Sequence, residues 1–91
     1  MKHVHELIPG ALYSYNKPTF ANRPVTIHVV EQHNATWVIS HARMILQNEK
    51  LHMYMTYVCT EDVVGYHGFF IFLYGEKFVV FSSVSDIERI F

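Results

Sequence analysis

Apolar and polar residues alternate along most of this chain with the period of two that sends successive side chains to opposite faces of a strand. Pro9-Gly10 breaks any helix begun before it, and Ala11-Leu12-Tyr13-Ser14-Tyr15 alternates into a first strand. Asn16 through Pro24, with Pro18, Asn22 and Pro24, reads as a long loop. From Val25 to Glu31, Val25, Ile27 and Val29 share one face, and Thr26, His28 and Val30 the other. Gln32 to Ala35 is the turn that leads to Thr36-Trp37-Val38-Ile39-Ser40, so the two segments form a hairpin. His41 to Glu49 fits either a helical turn on Ala42, Ile45 and Leu46 or a longer strand, and we read it as irregular or briefly helical. Lys50 to Cys59 is a strand with Leu51, Met53, Met55, Tyr57 and Cys59 on one face and His52, Tyr54, Thr56 and Val58 on the other. Glu61-Asp62 marks its exit, and Gly65 and Gly68 bracket Tyr66-His67.

The strongest pattern follows. Phe69 to Tyr74, Gly75-Glu76, and Lys77 to Phe81 predict a hairpin in which Gly75 supplies the positive φ of a type II′ turn. That turn pairs Tyr74 with Lys77, Leu73 with Phe78, Phe72 with Val79, Ile71 with Val80 and Phe70 with Phe81. Both faces are then apolar, so both must be covered, one by the rest of the domain and the other by a loop, a terminal helix or a second copy. At the end, Ser85 and Glu88 stand at capping-box spacing, with Val84, Ile87, Ile90 and Phe91 on one side, which predicts a short helical or 3₁₀ turn.

These elements predict a mainly β domain over residues 1–91. It is a small five- to six-stranded antiparallel barrel or strongly bent sheet with a short C-terminal helical turn. The opening Leu7-Ile8-Pro9-Gly10-Ala11-Leu12-Tyr13, the tight hairpin and the closing Val84-Ser85-Asp86-Ile87-Glu88 turn resemble small SH3-like barrels in architecture. The resemblance implies a fold and carries no functional residue. A chain that is short, poor in lysine and rich in His also resembles small accessory proteins of bacteriophages, which implies binding to a host factor.

Composition sharpens the burial problem. Hydrophobic residues are 51% of the chain and charged ones 16%, whereas a domain this small hides only about 60 to 65% of its unfolded surface. Surplus apolar area in a small domain marks an interface, so self-association or a binding face is expected. The net charge is −1 and the seven basic residues are scattered, which disfavours duplex nucleic acid. One cysteine, Cys59, excludes an intramolecular disulfide and suits a reducing, cytoplasmic setting. The N-terminus lacks the apolar stretch of a secretion signal, and no run reaches a membrane span.

Seven histidines invite a metal reading, but His3 and His5 lack a nearby carboxylate or thiolate, and His28 and His52 would pair only if their strands were neighbours. No metal or other cofactor is assigned. Cys59 on a Leu51/Met53/Met55 face reads as a small core hydrophobe rather than a nucleophile. Phosphate loops, nucleophile elbows and paired carboxylates are all missing from the sequence, so no catalytic residue is assigned and the chain is read as non-enzymatic. The residues expected to meet a ligand or partner are Phe70, Phe72, Tyr66, His67, Tyr74, Tyr54 and Arg43. The leading expectation is a protein–protein interaction module that also self-associates through Phe70 and Phe72. The alternative is a nucleotide held at a subunit junction by tyrosine stacking, with His67, Arg43 or Arg23 for polar contact. A third reading is single-stranded nucleic-acid binding.

Overall fold

A computed structural model describes residues 6–18, 25–45 and 50–90. Seven strands follow one another: β1 (Leu12–Pro18), β2 (Val25–His33), β3 (Thr36–Ile45), β4 (Lys50–Val63), β5 (Tyr66–Tyr74), β6 (Lys77–Phe81) and β7 (Ile87–Arg89). They form one sheet in the order β3-β2-β6-β5-β4-β1-β7, antiparallel throughout except for one added parallel pairing of β3 with β4 at Trp37 and Val63. That pairing, with the Val64 N–H donating to the Trp37 carbonyl at 3.0 Å, bends the sheet until β3, β2, β6, β5 and β4 make a ring.

Two apolar clusters occupy the two sides of this bent sheet. Val30, Trp37, Val63, Ile71 and Val80, one from each ring strand, form the smaller one. The larger contains Tyr13, Tyr15, Met53, Met55, Tyr57, Phe72, Val79, Phe81 and Ile87, and is closed by β1, the first half of β4, and β7. Strand alternation explains the division, because Ile71 and Val80 point one way from the β5–β6 hairpin while Phe72, Val79 and Phe81 point the other. The register of that hairpin is the predicted one, from Tyr74 opposite Lys77 to Phe70 opposite Phe81. Gly75 carries the turn at φ 63°.

Both faces of this hairpin are therefore covered by the chain's own strands. Phe72, expected at a binding surface, is fully buried in the larger cluster, where its ring packs edge-on to Tyr13, Tyr57 and Phe81. Phe70 is half-buried against the same cluster.

The end of the chain departs from expectation as well. In place of a helical turn, Ile87–Arg89 is a strand paired with Tyr13–Tyr15, so the described residues hold seven strands, five of which make the ring. Tertiary packing overrides the local capping signal here: β1 offers an open edge, and Ile87 fills the larger cluster, 2% exposed. Ser83, not a helix cap, accepts the Ser85 N–H in the preceding turn. The ambiguous segment from His41 continues β3 to Ile45, and residues 46–49 lie outside those described. Asn16 to Pro18, expected in a loop, extends β1, and residues 19–24 lie outside those described.

Candidate functional site

Two irregularities in the β4–β5 ladder create the most distinctive surface of the molecule. The pairing steps from Tyr57–Phe72 to Cys59–Ile71, so Val58 is an extra residue on β4. A bulge of this kind reverses the parity of everything after it. Cys59 consequently leaves the Met53/Met55 face on which alternation put it and packs instead against the ring cluster. Farther on, the pairing steps from Glu61–Phe69 to Val63–Tyr66, so Asp62 alone faces two residues, His67 and Gly68.

The second bulge has a visible cause. Asp62 Oδ1 accepts the Gly68 N–H at 3.0 Å, and its Oδ2 lies 3.3 Å from His67 Nδ1. The Gly68 amide, and after it His67, hold the Asp62 carboxyl below its ordinary value. Gly68 sits at φ 65°, a conformation that side chains with a Cβ resist. The consequence lies one residue away on either side. Tyr66 and Phe69 are three apart and would point to opposite faces of a regular strand, but the extra residue between them brings both rings to one side. They stack with centroids 5.2 Å apart and planes 21° apart. Phe69 rests on the ring cluster, whereas Tyr66 is 52% exposed and Val64, in the adjoining turn, 57% exposed.

Glu61 stands across from Phe69 in the ladder. Its Oε1 accepts the Trp37 Nε1–H at 3.2 Å, and it takes a hydrogen bond from the Cys59 thiol. Burial first, then this bond and the negative charge of Glu61, push the thiol up to about 11. At neutral pH Cys59 is thus a protonated donor, the reverse of an activated nucleophile. The site consists of an exposed tyrosine backed by a half-buried phenylalanine, a carboxylate across the ladder from it, and a clamp behind.

Of the residues singled out in the sequence, the β4–β5 tip unites only Tyr66 and His67. Tyr74, 42% exposed, is at the other end of β5, and Tyr54, 56% exposed, faces outward from β4 beside Ser14. Arg43 pairs with Ile27 in the β2–β3 ladder, and its side chain is outside those described. Arg23 also lies outside the described residues. His28 and His52 are not on neighbouring strands: His28 stands between Ala42 and Val80, and His52 opposite Asn16. Among the described residues no three His, Cys, Asp or Glu side chains gather as metal ligands, and no helix is long and apolar enough to cross a membrane.

Glu61, Asp62, Phe69 and Trp37 were missed by the sequence reading. The available signal was Gly68 inside an otherwise strand-like run, because an interior glycine marks a bulge, and a bulge changes which neighbours share a face. A groove of about 340 Å³ also opens beside the end of the β2–β6 pairing, lined by Val30, Phe78, Glu31, His41, Glu76 and Lys77 among others. Its mixed charges favour no one ligand. Comparison with protein families, characterised proteins and solved structures gives no significant match.

Proposed function

We propose that this chain is a non-enzymatic protein-binding module built on a small SH3-like barrel, and that it meets its partner through the β4–β5 tip. The run β7-β1-β4-β5-β6, with β4 serving both halves of a sharply bent sheet, supports the barrel reading. One observation carries the functional reading. While Ile71, Phe72 and Val79 to Phe81 are buried by the chain's own strands, large apolar side chains stand in solvent at Val64 and Tyr66, on a tip whose conformation is fixed by Asp62 and Gly68. A rigid aromatic anchor loses little entropy on docking, which is why tyrosine is favoured at the centre of interfaces. Self-association through Phe70 and Phe72 loses its motivation, so the partner is a different protein, and an accessory protein that modulates a host factor would be one form of the same reading.

The test is comparative capture from cell extract with the wild-type chain and with Val64→Asp, Tyr66→Ser and, as a control at the far end of β5, Tyr74→Ser. Both tip variants are expected to lose a partner that wild type and control retain, while Trp37 fluorescence stays native. Equal capture by all four would refute the reading.

The stacked rings also bear on the nucleotide alternative, since a base can stack on an open tyrosine face. The carboxylates of Glu61 and Asp62 make the tip negative, which disfavours a phosphate-bearing ligand.

A further inference from the structure

The partner's chemistry can be narrowed further, on the premise that the tip is the docking surface. We infer that the Tyr66–Phe69 platform receives an arginine side chain of the partner protein, its guanidinium lying on the open face of Tyr66 and its charge answered by Glu61.

Three observations converge on this. First, the ring of Tyr66 has one face against Phe69, in near-parallel stacking, and the residue is half exposed, so the available surface is a flat π-face. Such a face carries partial negative charge and attracts cations, most strongly a planar one that can also stack. Second, Glu61 is the residue directly across from Phe69 and is exposed. One of its oxygens is tied to Trp37 and the carboxylate also takes the Cys59 thiol hydrogen bond, which holds it on the Phe69 side of the ladder with its second oxygen still able to accept. An arginine fork can donate to that oxygen while its plane rests on the ring, whereas the compact ammonium of lysine satisfies one demand at a time. Third, the platform exists only because the bulge corrects the parity of Tyr66 and Phe69. Asp62 therefore acts as a positioning residue: it grips Gly68 and His67 from behind and need not touch the partner.

The experiment is a titration of the full ¹⁵N-labelled chain, followed by amide and tyrosine-ring signals. The probes are a capped Gly-Gly-Arg-Gly-Gly peptide, its lysine and citrulline counterparts, and adenosine monophosphate. The arginine peptide should move the signals of residues 64–69 saturably, and binding should weaken as salt rises, because the pair is solvent-exposed. Citrulline, with the same shape and no charge, should bind about tenfold more weakly or worse. Tyr66→Leu and Glu61→Gln should each weaken the arginine peptide about threefold or more, the size of one exposed cation–π or ionic contact. Unmoved signals with the arginine peptide, an equal response to citrulline, indifference to Tyr66→Leu, or tighter binding of the nucleotide would each overturn the assignment. Capture that depends on Tyr66 alongside a silent arginine titration would remove the arginine assignment and leave the interaction reading standing. Arginine binding with capture indifferent to Tyr66 would do the reverse.

Discussion

Asp62 holds a bulge with two oxygens, and the consequence is read at Tyr66 and Phe69 rather than at Asp62 itself. Asp62→Ala removes the acceptor for the Gly68 N–H, so ring-to-ring nuclear Overhauser contacts between Tyr66 and Phe69 should fade while signals of the larger cluster hold. Asp62→Asn keeps a carbonyl oxygen and should preserve much of the stack. Equal loss in both variants would show that the negative charge, not the acceptor, matters. The carboxyl titrates lower in the folded chain than in the unfolded one, so in acid the unfolded chain takes up the proton first. The clamp's contribution to stability is therefore complete above the ordinary carboxyl range and is lost as pH falls from that range through the lowered folded value. Stacking that persists unchanged after the Asp62 carboxyl signal shows it fully protonated would contradict this. Cys59 shows the opposite sign: with its thiol near 11, only about a thousandth is thiolate at pH 8, and reaction with a disulfide reagent should be correspondingly slow. Glu61→Gln removes the negative charge that helps to raise it, so the rate should increase several-fold. No increase would mean that burial alone sets the thiol.

At the scale of the element, the sequence made regular alternation legible and hid its interruptions. The Phe69–Phe81 hairpin was readable to the residue because Gly75 dictates a two-residue turn and the turn dictates the register. The β2–β3 hairpin was readable only as an element: its turn is two residues, with Asn34 at positive φ, rather than Gln32 to Ala35, and a register step at Val29/Val30 leaves Ser40 extra on β3. Period-two reasoning fails after Val58 and again at His67–Gly68, because one extra residue flips every later side chain and nothing local in Val58 announces it. That is why Cys59 was placed on the wrong face, and why Phe69 was overlooked as the stacking neighbour of Tyr66 and Glu61 as the residue across from Phe69. The last strand was hidden for another reason: Ser85 and Glu88 satisfy a local helix signal, and only the open edge of β1 outweighs it. Gly68 offers the cleanest test of an interruption. A Cβ there would meet no atom within 4 Å, yet the residue sits at φ 65°, so Gly68→Ala should cost about 1 to 2 kcal/mol by backbone conformation alone. Urea unfolding would measure it, and an unchanged midpoint would mean that the bulge relaxes at no cost.

At the scale of the molecule, the bent sheet gives the surplus of apolar residues two interiors. One hairpin serves as a wall between two clusters, so the middle of each of its strands is apolar on both faces and buried on both. The sequence reading treats the domain as having one inside. This arrangement couples the clusters, because Ile71 and Phe72 are consecutive residues on one strand, as are Val79 and Val80 on its neighbour. Truncating Phe72 to Ala should cost about 3 to 5 kcal/mol. That is a large share of the roughly 5 to 14 kcal/mol a chain of this length has in all, so Phe72→Asp should unfold the protein rather than alter its oligomeric size. The coupling itself can be measured, because Trp37 is the chain's one tryptophan and lies in the ring cluster, while Tyr13, Tyr15 and Tyr57 lie in the larger one. If the wall transmits the loss, Trp37 fluorescence and tyrosine near-ultraviolet dichroism should follow one shared unfolding curve. Phe72→Ala, made in the tyrosine-rich cluster, should then move the Trp37 midpoint by the same amount. A Trp37 transition that stays in place while the tyrosine signal shifts would mean that the ring folds on its own.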